Sequence, residues 1–280
     1  LNLAYFMKRP IGYFLFTLIL LLNSYCAENK TAPVTSANFI FVEGGMMKNK
    51  NSQLYGIKGK VLDFYMGKFE VTQKEWNEIM PVNPSNHIGD SLPVEMVTWY
   101  DCITYCNKRS SKEGLLPYYN IDTTKDSLDG DIPINKKANG YRLPTEVEWE
   151  YAAGGGQLSK SFTYSGSNVI DSVAWTWKNT GDSLLSGTWN YRSMQSNHCA
   201  TKPVGLKKPN ELGFYDMTGN VMEWCEEWHV TEHISKGTYR TQRGGGWINI
   251  DTYAKVAHRG YNDAKRKAMD QGFRICRNKE

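Results

Sequence analysis

Cysteine brings the most reactive chemistry to this sequence, and its spacing makes little use of it. The six cysteines stand at 26, 102, 106, 199, 225 and 276. A structural zinc site asks for closely spaced pairs such as CxxC, and no such pair occurs. Cys102 and Cys106 are four residues apart, a spacing that shares one helix face. Apart from Cys26 the cysteines number five. Five is odd, so at least one is free or pairs outside the chain. His229 and His233 share the same i,i+4 spacing, but Thr231, Lys236 and Gly237 around them read as loop. A transition-metal pair is therefore not expected there. Glu223, Glu226 and Glu227 are acidic neighbours, yet nothing sets two of them apart as acid and base for glycoside hydrolysis. Trp175, Trp177, Trp189, Trp224 and Trp228 read as packing aromatics, with a glycan platform the alternative. There is no Gly-x-Ser-x-Gly elbow and no Walker lysine loop.

The elements that must position these residues announce themselves by their ends. Thr72-Gln-Lys-Glu75 is a capping box ahead of Trp76, Ile79 and Met80. Thr145-Glu-Val-Glu148 is another, ahead of Trp149 and Ala152, with Gly154-Gly-Gly156 as the stop. Between them, Thr98 or Asp101 starts a helix carrying Tyr100, Ile103 and Cys106. In each case a Thr or Asp oxygen can accept from an N–H of the first turn that has no helical partner. Phe39–Val42 and Val61–Met66 read as strands, with Gly44-Gly45 as a turn. Residues 157–235 are rich in Gly, Asn, Ser and Trp with little periodicity, and read as ordered loop. Strands are expected again at Gly245–Ile250, Lys255–His258 and Phe273–Cys276. No internal repeat and no linker interrupts 38–280.

Composition narrows the classes. Of 280 residues, 40% are hydrophobic, which excludes a wholly disordered chain. The 25 Gly, 10 Pro and 9 Trp argue against a coiled coil or helical repeat. Lys plus Arg exceeds Asp plus Glu by 33 to 29, a net charge of +4 that does not imply nucleic acid. A mean hydropathy of −0.54 excludes a polytopic membrane protein.

Residues 1–26 read as an address. Lys8 and Arg9 precede the apolar run 11–22, which fits a signal-peptide core and is short of the ~20 residues a spanning helix needs. Leu22-Asn-Ser-Tyr-Cys26 then suggests a lipoprotein signal, with Cys26 as the lipidated residue. Leu22 lies four places before the Cys rather than three, and Tyr25 is bulky, so ordinary secretion and an uncleaved anchor stay open. Residues 27–37 read as a polar tether.

Six motifs occur in order: Gly67-Lys-Phe-Glu-Val-Thr-Gln-Lys-Glu-Trp76, Pro93-Val-Glu-Met-Val-Thr-Trp99, Tyr141-Arg-Leu-Pro-Thr-Glu-Val-Glu-Trp-Glu-Tyr-Ala-Ala153, Gly213-Phe-Tyr-Asp-Met-Thr-Gly-Asn-Val-Met-Glu-Trp224, Arg243-Gly-Gly-Gly-Trp247 and Gly272-Phe-Arg274. Over roughly 39–277 the chain resembles the formylglycine-generating (sulfatase-modifying) enzyme family. That resemblance implies an α+β, C-type lectin-like fold: small twisted antiparallel sheets, two or three helices and long ordered loops. Fold does not settle activity. The family's oxidases bind copper through two cysteines shortly after the Gly-Gly-x-aromatic segment. The matching stretch Ile248-Asn-Ile-Asp-Thr-Tyr-Ala-Lys-Val-Ala-His-Arg259 has no Cys. Soft thiolates are what Cu(I) needs, so neither copper nor oxidase activity is expected. The resemblance also implies a structural Ca²⁺, held by the Asp216 and Glu223 carboxylates and the Gly219 and Val221 carbonyls. The alternative is that Glu223 is an internal hydrogen-bond partner and Asn220 a turn residue.

The same C-terminal stretch is similar to the variable region of diversity-generating-retroelement proteins, which share the lectin fold. Trp247, Ala257, Arg259 and Gly272-Phe-Arg274 match their fixed positions in register. Diversified positions there arise from Asn codons by adenine mutation, which excludes Lys, Glu, Gln, Met and Trp. The positions implied here are Ile248, Asn249, Ile250, Asp251, Thr252, Tyr253, His258, Gly260, Tyr261, Asn262 and Asp263, and none is of an excluded type. An ordinary divergent loop is the plainer alternative. Tyr253 and Tyr261 offer large contact area at low entropy cost, and Asn, Thr and Asp offer adaptable hydrogen bonds. Lys255, Arg259, Lys265, Arg266 and Lys267 make the surroundings basic, which favours an acidic partner.

The expectation is thus a signal peptide at 1–26, a tether at 27–37 and one domain at 38–280 with a variable region about 244–277. Its function would be non-catalytic binding of a macromolecular surface ligand, protein or glycan. It would sit in a bacterial cell envelope, on the outer membrane or cell surface, held to the membrane through its lipid. A formylglycine-generating oxidase and a fixed-specificity adhesion module are the alternatives.

Overall fold

The three capping boxes are formed. In the computed structural model, which describes residues 38–55, 61–122, 124 and 128–279, α1 (Gln73–Asn77), α2 (Trp99–Lys112) and α3 (Glu146–Ala153) start at Thr72, Thr98 and Thr145. Each Thr hydroxyl accepts from the third helical N–H, and the acidic residue there accepts from the Thr N–H in return. Thr98 rather than Asp101 is therefore the cap of α2. A box is worth about 1 kcal/mol, and it fixes where the helix begins. The expected signal segment, tether and Cys26 lie outside the described residues.

Two small sheets carry the rest. β1 (Phe39–Val42) and β2 (Phe64–Gly67) pair antiparallel, and β2 pairs with β7 (Cys276–Asn278) near the C-terminus. The second sheet runs β5-β4-β3-β6, from β3 (Met222–Trp228), β4 (Tyr239–Arg243), β5 (Gly260–Asp263) and β6 (Gln271–Gly272). Only β3–β6 is parallel. A fourth helix, α4 (Tyr191–Ser196), interrupts the long irregular stretch.

Several strand expectations are corrected. Residues 245–250 form no strand. The chain turns there, through left-handed Gly244 and Gly245, because a Cβ on Gly245 would sit 3.0 Å from the Tyr253 backbone folding back over it. Residues 255–258 are turn, and the strand lies two residues later at β5. β3 falls inside the stretch read as loop, since its MEWCEEW run has no polar alternation to mark it. Val61 only bridges Gly45, and β2 begins at Phe64.

Two apolar clusters fill the interior. One lies under α2, where Trp76 stacks on Tyr105 at 5.4 Å and Phe273 meets both rings edge-on. The other joins β1 and β2 to α3 through Trp149, Tyr151, Phe214 and Cys276. A smaller one, Trp177, Met194, Cys199 and Trp247, lies beneath the C-terminal segment. Cys102, Cys106, Cys199, Cys225 and Cys276 are all buried and free. No disulfide joins any two of these five.

Candidate ligand-binding site

Residues 247–264 alternate between anchors and outward side chains. Trp247, Ala254, Val256 and Ala264 are buried. Trp247 donates its Nε1–H to the Met269 carbonyl at 2.8 Å and its N–H to the Asn220 carbonyl at 2.7 Å. Ile250, Tyr253 and Tyr261 are 39%, 43% and 47% exposed, and Thr252 and Asp263 are also exposed. Ile248, Asn249, Asp251, His258 and Asn262 are half-buried.

The segment is clamped to α3 by charge. Arg259 forms a two-pronged pair with Glu146, at 2.6 and 2.7 Å. Fully buried Arg243 pairs with Glu146 and Glu150 and donates to the Val256 carbonyl at 2.7 Å. Ser52 donates to Glu150 as well. Two guanidiniums thus face two carboxylates, so the network is close to neutral and its polar atoms are largely used, the condition under which buried charge is tolerated. Glu146 and Glu150 were legible only as cap and helix residues. Their burial depends on strands that meet α3 from 90 or more residues away.

Half of the expected ligand-binding positions also hold the site in shape. The Asn249 side chain accepts from Gly246 N–H at 2.7 Å, closing the turn on which it sits. Ile248 packs on the Trp177 cluster, and its carbonyl accepts from the Trp189 indole at 2.8 Å. Asp251 pairs with Lys178 at 2.8 Å. Tyr261 stacks on His229 at 4.4 Å, and Tyr253 meets His258 edge-on at 4.7 Å. Burial and neighbouring cations hold both imidazoles below their ordinary value: Arg259 beside His229, Arg243 and Lys255 beside His258. Both are thereby biased toward the neutral imidazole.

Gly260 is a correction. It is buried, and a Cβ there would meet Met222 Cε at 2.5 Å and the Gln242 carbonyl oxygen at 3.2 Å. A side chain at 260 needs the flexible end of Met222 to swing aside and β4 to give slightly, so this position sits on the frame under the segment and not on its outer surface.

The metal expectation meets a similar obstacle. Arg274 donates to both oxygens of Glu223 at 2.6 Å, and the Trp149 indole adds a third bond at 2.6 Å. Asp216 accepts from Gly205 N–H at 2.7 Å, leaving Oδ1 without a partner. Burial, aided by the nearby Glu223 charge, pushes Asp216 up to about 6 against the pull of Arg274. Glu223 is thus already neutralised by Arg274, so Asp216, Gly219, Val221 and Glu223 present Ca²⁺ with little unspent negative charge. Glu70, unnoticed in the sequence, is buried beside them and accepts from Asn220 Nδ2 at 2.6 Å and Val221 N–H at 3.0 Å. Among the described residues no cluster of three or more His, Cys, Asp or Glu could hold a metal. The thiols do not suit copper either. Burial pushes those of Cys102, Cys106, Cys225 and Cys276 up, away from the thiolate that a soft metal needs.

Known proteins place this geometry. Residues 25–279 match the model of the sulfatase-modifying factor enzyme 1-like domain. Chaperone protein LppX of Paenibacillus barcinonensis is 48% identical over 265 residues, covering 91% of this chain and 94% of that protein. The formylglycine-generating enzyme of Streptomyces coelicolor is 30% identical over 152 residues, about half of either chain (49% and 46%). The solved structure of Treponema denticola variable protein 1 superposes with a TM-score of 0.70 at 28% identity, covering 86% of this chain and 94% of that one. The α+β architecture is the one the motifs implied: formylglycine-generating-enzyme-like, with a C-type lectin-like arrangement of few helices and curled sheets.

Proposed function

The chain belongs to the sulfatase-modifying factor enzyme 1-like family, and from that premise we propose that it is a non-catalytic binding lipoprotein whose C-terminal segment is a sequence-diversified contact surface. The observation that carries this reading is the division of 247–264. Of the positions matching the fixed register, Trp247 and Gly272-Phe-Arg274 are buried, Arg259 is salt-bridged and Ala257 is half-buried, while ten of the eleven implied variable positions reach the surface or its edge. A rigid frame under exchangeable side chains is what a binding loop requires. The absence of any thiol in 248–259 removes the ligands that copper oxidation in this family uses. Likeness to a variable protein of known structure supports the binding role. The name of the 48%-identical chaperone favours a protein as the ligand. The lipid on Cys26 would hold the domain on the envelope surface, and two or more acyl chains would be needed for stable anchoring.

The test exchanges residues 248–253 and 261–263 for those of sister clones and measures binding to whole target cells or extracted surface protein. The reading expects the bound target to change with the segment while the domain stays folded, the small stability changes coming from Ile248, Asn249 and Asp251, which also pack or bond to the frame. Equal binding by all exchanges would sink it. Turnover of a Cys-containing peptide after copper loading would overturn the non-catalytic part.

A further inference from the structure

Beside the contact segment, the stretch 183–191 holds an indole at the surface. Of the nine Trp, Trp189 alone is exposed, at 43%, and the other eight are buried or half-buried. The ring is fixed all the same. Its Nε1–H donates to the Ile248 carbonyl at 2.8 Å, 59 residues away in sequence. Leu185 and Tyr191, on either side of it in the chain, pack with Ile248 on the cluster around Trp177 and Trp247. Leu185 N–H donates to the Lys178 carbonyl at 2.8 Å, and Asn190 caps α4. A ring that is already ordered loses little freedom when a partner covers it. Its one polar atom is spent within the chain, so what Trp189 offers a partner is its apolar face.

The strip is also free of charge. Neither 183–191 nor 247–250 contains a charged residue. Leu184 and Ile250, on those two stretches, are 80% and 39% exposed. The polar side chains next to Ile248 are committed to the chain itself. Asn249 accepts from Gly246 N–H at 2.7 Å, and Asp251, just beyond, pairs with Lys178 at 2.8 Å. A charged group from a partner would lose water here and gain no counter-charge. A sugar could lay its C–H face on the ring, but its hydroxyls need donors and acceptors around the rim, and the nearest ones are spent. An apolar side chain asks only for ring and methyl surface.

We propose that Trp189 is a fixed anchor of the contact surface, and that in this chain it receives, together with the 247–250 turn, an aliphatic or aromatic side chain of a protein partner. The inference rests on the binding role proposed for 247–264 and adds to it a residue outside the variable positions. Trp189 supplies affinity that every variant of the segment shares. Positions 248–253 and 261–263 decide which protein is held. Interfaces commonly place much of their binding energy on one such aromatic, with near-neutral contacts around it.

The experiment selects phage-displayed random peptides on the full chain and on two versions of it with 248–253 and 261–263 exchanged for those of sister clones. Recovered peptides are synthesised and titrated by fluorescence anisotropy. They should differ between versions, and each peptide selected on the native chain should carry an apolar residue whose replacement by Ala weakens binding about tenfold. Trp189→Ala should weaken the peptides of all three versions about tenfold. Trp189→Phe keeps a ring face and loses the N–H tied to Ile248, so it should weaken them no more than about threefold. If Trp189 only held the turn, Phe would fail as badly as Ala, and that result would overturn the proposal. Peptides that differ between versions yet bind Trp189→Ala as tightly as the native chain, or that weaken in one version alone, would overturn the anchor and leave the diversified surface standing. Identical peptides from all versions, lost in Trp189→Ala, would support the anchor and contradict the diversified surface. Methyl glucoside or methyl N-acetylglucosaminide bound through Trp189, with no peptide recovered, would overturn the apolar partner in favour of a sugar.

Discussion

Segments 216–224 and 247–264 are both motif-rich and largely irregular, and they use their polar groups in opposite ways. In the first, almost every side chain is buried and committed inward: Asn220 to Glu70, Glu223 to Arg274 and Trp149, Trp224 to the Val97 carbonyl. In the second, the buried positions are few, and those between them are exposed or half-buried, some of them bonded back to the frame. Two motif-rich segments of one chain can therefore differ in use, one serving as framework and the other, on the proposed function, as the support of a contact surface. Packing distinguishes the two, and residue type does not.

The largest effect should come from the inner segment. Arg274→Ala leaves Glu223 buried without a counter-charge, a loss of about 3–5 kcal/mol in urea unfolding. A loss below 1 kcal/mol would mean that the pair is not the lock described. The same segment should show a pH signature. The folded-state value of Asp216, about 6, lies above its ordinary 3.8, so folding favours its protonated form. That contribution is full below about 4 and is lost as pH rises through about 6. Asp216→Asn should gain stability over the native chain across that window, by at most about 3 kcal/mol above it. A difference that stays flat with pH contradicts the assignment.

The outer segment should answer more weakly. Gly260→Val forces Met222 or β4 aside and should cost about 1–3 kcal/mol by overpacking. A neutral result would return position 260 to the exchangeable set. Thr145→Ala removes the cap of α3, which carries Glu146 and Glu150, and should cost about 1 kcal/mol by chemical denaturation. Ile250→Ala, Tyr253→Ala and Thr252→Ala should stay within about 0.5 kcal/mol of the native chain while altering ligand capture. If these cost as much as Gly260→Val, the contrast between frame and surface fails.

The capping boxes were legible because each is a four-residue arrangement complete in itself. In the register read over 247–274, Trp247 is buried over a cluster, but the sequence singled out Ala257, which is half-buried, and passed over Ala254, which is buried. What the sequence hid depends on distant partners. The fate of Glu223 depends on Arg274, 51 residues away, and that of Gly260 on Met222 in another strand. β3 was hidden because its residues are buried along much of their length, leaving no alternation to read.

The central claim is tested most directly by deep sequencing of the gene's 3′ end in a growing population of the source cells. The account predicts variation confined to codons 248–253, 258 and 261–263, explicable as adenine mutation of Asn codons, with Trp247, Ala254, Val256, Gly260 and Ala264 unchanged. An invariant segment, or changes that fall equally on the buried anchors, would contradict it.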